Sequence, residues 1–436
     1  MTSKIRKNRV KFGILLLGVV LFSTNLTLGV ATQDELDWGV DRINAEVVWG
    51  GTEDATDVSP DAYAGQGVKI AILDSGIDYT HPDLDDNYVV GGPDFVNNDT
   101  DPLDDSGHGT HVAGIIAAED NGQGVIGVAP KASIYAVKTH NYWGVADPEK
   151  ENIVQGIDWA IAHGMDVISM SFVFYTSYYN VKKACERAYN AGIVLIAATG
   201  NDGEEATFFP AAYDTVIAVG ATDENDDLWY KSNYGVELDV VAPGEYIKST
   251  TPTYDDWFYL DEKGATKNYD SWSGTSMATP HVTGIVALLL SKYPELRGHP
   301  DEVKDRLLGS AKDLAQAGTG HGLVQADDCC DPAFVKENSY IYYDRFFVFS
   351  KMRFRANNAG TYTIEIEYKI NSGSWVTDYT HTDEYAIGDY SHTEVHYMRK
   401  TYSHTCYVRW TIKMAGETID SLTESKYIPA SSYPPW

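Results

Sequence analysis

The sequence predicts an α/β domain, built on a parallel sheet in a three-layer arrangement, followed by an all-β sandwich-like domain. From Gly67 onward, short β-branched apolar runs alternate with segments of helical periodicity. Strands that are apolar throughout and separated by helices are typical of a parallel sheet covered on both faces. From residue 335 the runs alternate instead and are rich in Tyr, Thr and Val, which indicates a separate antiparallel sandwich.

The predicted elements follow one another regularly along the α/β region. Strands are predicted for VKIAILDSG, SIYAVKT, DVISMSFVF, GIVLIAATGN, VIAVGAT and LDVVAPG, and helices for HVAGIIAA, IVQGIDWAIAHG, VKKACERAYNAG and ATPHVTGIVALLL. In such sheets the functional site lies beyond the carboxyl ends of the strands. This rule points to Asp74, to Ser171 onward, and to Gly200 with Asn201.

The amino-terminal segment has the pattern of a secretory signal. Five basic residues precede an apolar run from Phe12 to Phe22, and Gly29-Val30-Ala31 offers the small residues that a signal peptidase recognises. We therefore expect residues 1–31 to be a signal peptide, residues 32–330 the α/β domain and residues 331–436 the β domain. The protein is expected to be secreted and monomeric, without a stable membrane span once the signal is removed. An uncleaved membrane anchor is the alternative.

The charge and the cysteine content exclude several classes of protein. The formal net charge is −30, and residues 1–31 carry only basic charges, so the rest of the chain is strongly acidic. Such a surface repels nucleic acid and anionic membranes and is compatible with simple solvation in a salt-rich exterior. Four cysteines are too few for a disulfide framework at this length, and Cys185 is expected to be a buried thiol.

A serine lies at the start of a predicted helix, in the stretch SGTSMATPHVTG. Apolar residues recur at helical spacing from Ala278, and Pro280 is expected in the first turn, where its missing N–H costs nothing. Ser276 is therefore predicted at or just before the helix N-terminus. A hydroxyl there suits a nucleophile, but taken alone it is more typical of an N-cap.

Two further segments supply the partners that a nucleophilic serine needs. VKIAILDSGID ends a strand at Asp74, and DSGHGTHVAGIIAA places His108 before a helix between two glycines. Asp, His and Ser then follow one another in the order found in subtilisin. With DSGID, HGTHVAGI, ATGND and GTSMATPHV all present in order, the chain resembles the subtilisin-like serine peptidases from about Trp38 to Ala326.

The resemblance implies a role for each of these residues. Ser276 corresponds to the nucleophile, His108 to the general base, and Asp74 to the carboxylate that orients the imidazole. Asn201 corresponds to the side-chain donor of the oxyanion hole, together with the backbone N–H of Ser276; in subtilisin itself, loss of this donor lowers turnover roughly 10²–10³-fold. His111 is expected to be a packing residue of the helix.

The resemblance also implies a structural Ca²⁺ site at the loop AAEDNGQGVIGVAP. Side-chain oxygens are expected from Asp83 and Asn121, and from Gln33 with an uncertainty of one residue in register. Backbone carbonyls are expected from Glu119, Gln123 and Val125. Oxygen ligands of this kind suit calcium. The simpler alternative is a glycine turn beside a solvated aspartate.

The substrate-binding strand departs from the family. The family sequence Ser-Leu-Gly-Gly is replaced by Ser171-Phe172-Val173-Phe174, on the edge that in the family lines the pocket for the residue before the cut. Ser171, Phe172, Val173 and Gly200 are the expected substrate-binding residues. A β-branched side chain in place of glycine is expected to narrow the pocket and to disfavour cleavage after large aromatic residues. A long insertion, TPTYDDWFYLDEKGATKNYDSW, is expected to form a hairpin at the rim of the active site.

These observations predict an extracellular, calcium-stabilised serine endopeptidase that acts on proteins or peptides through an acyl-enzyme intermediate. Two alternatives remain open from the sequence. The same site could transfer the acyl group to another amine, as a peptide ligase or transpeptidase does. An inactive relic could instead act as a binding protein, although the complete triad and Asn201 count against this.

Overall fold

The computed structural model describes residues 34–50, 56–60, 62–141, 149–255, 257–258, 260 and 264–330, together with the backbone of seven strands between residues 334 and 428. The expected signal segment, residues 1–31, lies outside the described residues. Within the part of the chain that the structure describes, no helix is both long and apolar enough to cross a membrane.

A six-stranded parallel sheet forms the centre of the fold. Its strands are β1 (Lys69–Asp74), β2 (Ser133–Lys138), β3 (Val167–Met170), β4 (Val194–Ala198), β5 (Ile217–Thr222) and β6 (Val240–Pro243). They lie in the order β2-β1-β3-β4-β5-β6, and every pairing is parallel. The six predicted strands are confirmed. Strand β3 is shorter than its apolar run, because the chain leaves the sheet at Ser171.

Helices cover both faces of this sheet. They are α1 (Trp38–Arg42), α2 (Ala45–Gly50), α3 (His108–Ala117), α4 (Glu149–Ala162), α5 (Tyr179–Asn190), α6 (Thr275–Lys292), α7 (Pro300–Ser310) and α8 (Ala326–Cys330). Alternate side chains of β1 face opposite ways: Ile70 and Ile72 join the core with α3 and α6, whereas Leu73 joins the core with α4 and α5. Cys185 of α5 is a buried free thiol, as predicted.

The insertion before Ser276 is enclosed by an antiparallel hairpin, as expected. Its strands are β7 (Ile247–Thr251) and β8 (Asn268–Trp272). Between them, Trp257 is buried, and the backbone N–H of Phe258 donates to the carbonyl of Asp105 over 3.0 Å. The insertion therefore packs against the loop that leads into α3.

Helix α6 begins earlier than the apolar periodicity predicted. Its first residue is Thr275, so Pro280 lies beyond the first turn, contrary to the prediction. A proline there cannot donate to the carbonyl four residues earlier, which belongs to Ser276. The Ser171 hydroxyl donates to that carbonyl instead, over 2.9 Å. The hydrogen bond from Ser171, which the missing N–H of Pro280 makes possible, thereby joins the start of α6 to the segment that follows β3.

The carboxy-terminal region consists of antiparallel strands, as the alternating pattern indicates. They are β9 (Phe334–Asp344), β10 (Phe347–Ala356), β11 (Gly360–Ile370), β12 (Val376–Tyr385), β13 (Gly388–Tyr397), β14 (His404–Met414) and β15 (Glu417–Ile428). One sheet has the order β13-β10-β9 and the other β12-β11-β14-β15. That the two sheets form a sandwich, and that a domain boundary lies at residue 330, stay predictions.

Candidate active site

Asp74 and His108 meet at the carboxyl end of β1, as the sequence predicted. His108 is the first residue of α3, and its Nδ1 lies 2.8 Å from Asp74 Oδ1. The same carboxylate oxygen accepts the backbone N–H of Ser75 over 2.8 Å. Asp74 is almost completely buried, whereas 18% of the His108 side chain is exposed. The imidazole is thus anchored on its Nδ1 side and keeps access to solvent.

The contact between Asp74 and His108 shifts the pKa of both groups. Burial alone would raise the pKa of Asp74, but the charge and hydrogen bond of His108 lower it below its ordinary value. Burial alone would lower the pKa of His108, but the Asp74 carboxylate raises it above 6.5. Asp74 is therefore ionised at neutral pH and stabilises the protonated form of His108.

A second buried carboxylate fixes the loop in front of His108, and sequence reasoning missed it. Asp104 is fully buried, and burial raises its pKa. Five donors surround it at 2.6–2.9 Å: the hydroxyls of Ser75 and Thr110 and the backbone N–H groups of Ser106, Gly107 and Thr110. Asp104 therefore holds the backbone on both sides of His108. The run DDSGHGT gives no signal that separates Asp104 from its neighbour Asp105.

Ser276 lies in the first turn of α6, in a cavity of about 510 Å³ that His108 and Asn201 also line. Its hydroxyl donates to the carbonyl of Ser171 over 3.0 Å. In this resting arrangement the Ser276 proton is directed at the substrate-binding edge rather than at His108. The structure thus joins two of the three triad residues by a hydrogen bond and brings the third to the same cavity.

Asn201 follows β4 and is held in one orientation. Its Oδ1 accepts from the backbone N–H of Thr275 over 2.8 Å and from the Thr275 hydroxyl over 3.0 Å. Because the carbonyl end of the amide is occupied, Nδ2 is the end that can donate to an incoming oxygen. Asn201 and Ser276 line the same cavity, which suits a shared oxyanion site.

The edge predicted to bind substrate runs from Ser171 to Phe174. Phe172 and Phe174 are buried, Val173 is partly exposed, and Phe174 exchanges backbone hydrogen bonds with Phe209. Gly200, which follows β4, has a positive φ of 118°, and a Cβ added there would lie 2.7 Å from the Phe208 ring. Phe208, which sequence reasoning missed, therefore occupies space beside Gly200.

The loop of the expected calcium site gathers two carboxylates. Asp83 Oδ2 accepts from the Val125 N–H over 3.1 Å, and Asp83 Oδ1 contacts the Asn121 amide over 3.2 Å. Asp34 accepts from the backbone N–H groups of Gly122 and Gln123 at 3.1 and 2.8 Å. Gln33 lies outside the described residues, so its contribution stays a prediction, but the next residue, Asp34, contacts this loop.

The remaining expected ligands are present on the same loop. Glu119 Oε1 accepts from the backbone N–H groups of Asp86 and Asn87 at 2.8 and 3.2 Å. That its backbone carbonyl binds calcium stays a prediction. Gln123 and Val125 follow on the same loop. Across the described part of the chain, no group of three or more His, Cys, Asp or Glu is arranged to hold a metal. A site here therefore requires amide and carbonyl oxygens beside its carboxylates.

The comparisons with known proteins agree with this geometry. Residues 65–324 match the sequence pattern of the family described as the subtilase family. Subtilisin DY of Bacillus licheniformis is 42% identical over 278 residues, 63% of this chain and 94% of that protein. Subtilisin NAT of Bacillus subtilis subsp. natto is 44% identical over 268 residues, 60% of this chain and 65% of that protein. The chain belongs to the subtilase family.

The thermostable alkaline protease of Halalkalibacterium halodurans is also similar to this subtilase, with 38% identity over 298 residues, 68% of this chain and 74% of that protein. The resemblance inferred from four short motifs is confirmed, and with it the enzyme class, a serine endopeptidase. The match to the subtilase family spans Asp74, His108, Asn201 and Ser276 but ends before the carboxy-terminal strands.

Proposed function

We propose that this subtilase is a secreted endopeptidase that hydrolyses peptide bonds of protein substrates with Ser276 as nucleophile, His108 as general base and Asp74 as the orienting carboxylate. The observation that carries the proposal is the contact of buried Asp74 with His108, 2.8 Å apart, beside a cavity that His108 and Ser276 both line. Secretion is supported by the basic and apolar pattern of residues 1–31.

The first chemical step requires a small movement of Ser276. Rotation about its χ1 would release the hydroxyl from the Ser171 carbonyl and turn it toward the imidazole, and rotation between staggered side-chain conformations is rapid. Because Nδ1 of His108 donates to Asp74, the unprotonated nitrogen is Nε2. As Ser276 Oγ bonds to the substrate carbonyl carbon, Nε2 takes its proton and later transfers it to the leaving amine.

The carbonyl oxygen of the substrate becomes negatively charged during this attack. Asn201 Nδ2 and the backbone N–H of Ser276 are the donors proposed to stabilise it. Since the charge exists only in the tetrahedral intermediate and its transition state, such donors increase the rate of reaction rather than the affinity for substrate. Water then attacks the acyl-enzyme, with His108 again as the base.

The proposal includes one structural calcium ion at the loop after α3. The supporting observation is the chemistry of the donor set: the buried carboxylates of Asp34 and Asp83 lie beside the Asn121 amide, and burial raises the pKa of Asp34 to about 6. Nearby negative charge from Asp83 and Asp120 contributes to this shift. These side chains, with the carbonyls of Glu119, Gln123 and Val125, would hold the ion and relieve the repulsion between carboxylates.

Active-site labelling with a fluorophosphonate, followed by peptide mapping, tests the nucleophile. We expect the label on Ser276, and we expect Ser276→Ala to lose about 10⁴-fold or more of kcat/KM without a change in melting temperature. Ser59→Ala, at an exposed serine outside the cavity, is the matched control and should keep full activity. Labelling at another residue, or full activity of Ser276→Ala, would exclude the assignment.

A further inference from the structure

We propose that His140 is a positioning residue of the active site: a second imidazole, directed at the Asp74 carboxylate, that shares this carboxylate with His108. The inference rests on the proposed function of the triad. It adds a residue that none of the four family motifs contains, because His140 follows β2 in the stretch AVKTHN.

The geometry places both imidazoles at one carboxylate oxygen. His140 Nε2 lies 3.7 Å from Asp74 Oδ1, and the two side chains are 5% and 1% exposed. Asp74 Oδ2, by contrast, has no hydrogen-bond partner among the described residues. A buried carboxylate with an unoccupied oxygen gains from any nearby donor, and a small rotation of the carboxylate or the ring would bring Nε2 into hydrogen-bond range.

Neighbouring contacts hold the His140 ring in position. Its Nδ1 lies 3.2 Å from the Thr139 hydroxyl, and in the proposed tautomer this hydroxyl donates to Nδ1, so that the ring proton is on Nε2, facing Asp74. The backbone N–H of Thr139 donates to the Asp74 carbonyl over 3.0 Å. Phe172 packs edge-on against the ring, with a centroid distance of 5.2 Å.

His140 acts at Asp74 as a neutral dipole. Burial lowers its pKa to about 4, and the positive charges of His108 and Lys138 add to this effect, while Asp74 and Asp105 oppose it. The charge of Asp104 also raises the pKa of His108, and the charge of His108 in turn lowers the pKa of His111. All of these groups remain in place when His140 alone is replaced.

Removal of the His140 dipole strengthens the effect of the Asp74 carboxylate on His108. An N–H donor that faces Asp74 stabilises the negative charge of the carboxylate and so weakens its effect on the pKa of His108. Without it, the carboxylate interacts with His108 alone and stabilises the imidazolium more strongly. Because the reaction needs neutral His108, the acidic limit of activity should then move to higher pH. Leu in place of His140 is close in volume and keeps the contact with Phe172, whereas Gln retains an N–H donor.

The test compares the pH dependence of kcat/KM for the wild type, His140→Leu and His140→Gln. We expect the acidic limb of His140→Leu to move upward by roughly 0.5 pH unit or more, and that of His140→Gln to stay closer to the wild type. Thr139→Val, which removes the partner of Nδ1, should move the limb in the same direction by less. Unshifted limbs in active His140→Leu and Thr139→Val would overturn the proposal.

A measurement without turnover separates this inference from the function on which it depends. In a Ser276→Ala background, NMR titration of the His108 ring reports its pKa directly, and His140→Leu should raise it. If this pKa does not move, the role of His140 is refuted even when the triad is correct. If Ser276→Ala remains active, the triad assignment fails, whatever the titration shows.

Discussion

At the scale of single residues, the hydroxyls and carbonyls of Ser171 and Ser276 form hydrogen bonds with each other before substrate binds. Pro280 leaves the Ser276 carbonyl without its helical donor, and the Ser171 hydroxyl takes this place over 2.9 Å. In return, the Ser276 hydroxyl donates to the Ser171 carbonyl. Ser276, the proposed nucleophile, and Ser171 are therefore fixed to each other by two reciprocal hydrogen bonds.

Asn201 provides a prediction at this scale. Asn201→Ala should lower kcat roughly 10²–10³-fold, the magnitude known for the equivalent donor in subtilisin, and leave KM nearly unchanged, because the amide is needed only when the oxyanion forms. Steady-state kinetics on a peptide substrate checks both values. Thr275→Val removes the hydroxyl that donates to Asn201 Oδ1 but keeps the backbone N–H that donates to the same oxygen. It should therefore have a much smaller effect on kcat. An unchanged kcat in Asn201→Ala would contradict the oxyanion role.

At the scale of elements, the segment after β3 and the Phe208 side chain are predicted to shape the pocket for the residue before the cut. By its resemblance to the family, Val173 replaces a glycine, and the Phe208 ring lies against Gly200 and packs edge-on against Tyr175, with centroids 4.7 Å apart. Val173 and Phe208 are therefore the two side chains that we expect to narrow this pocket.

The narrow pocket predicts a preference that substitution should reverse. The wild type should cleave poorly after Phe or Tyr and better after small residues. Phe208→Ala combined with Val173→Gly should raise kcat/KM for Phe substrates by about 10–100-fold, since steric exclusion of a few methylenes has this magnitude. Val90→Ala, at a side chain that is 86% exposed and away from Phe208, serves as the control. Rapid wild-type cleavage after Phe would refute the narrowed pocket.

The elements also show how far sequence reasoning reached. The strands of the sheet were predictable because each is an uninterrupted apolar run such as KIAILD, and Asp74 and His108 follow from strand and helix boundaries. Phe208 and His140 were not predictable, because their importance comes from contacts with distant residues. The start of α6 was predicted too late in the chain, because Thr275 and Ser276 are polar and do not extend the apolar periodicity. The helix nevertheless begins at Thr275, directly after Gly274.

At the scale of the whole molecule, the excess of acidic residues makes the repulsion between neighbouring carboxylates a cost that the proposed calcium ion would offset. Asp34 and Asp83 are both buried and close enough to influence each other. Asp34 has a pKa raised from 3.8 to about 6, so it binds a proton more tightly in the folded chain than in the unfolded one. Without calcium, its contribution to stability is therefore lost as the pH rises from about 4 to 6.

Calcium removal is expected to lower the melting temperature, and more so at pH 7 than at pH 5. A ligand at 100 times its dissociation constant stabilises a folded protein by about 2.7 kcal/mol, which corresponds to a shift on the order of 5 °C or more for a domain of this size. Thermal unfolding with and without EDTA measures this shift.

Asp83→Asn should unfold near the temperature of the chelated wild type and respond little to EDTA. Asp158→Asn, at an exposed ion pair with Arg187, should respond to EDTA as the wild type does. Identical melting temperatures with and without EDTA at pH 7 would refute the calcium site, since the repulsion between Asp34 and Asp83 would then need no cation.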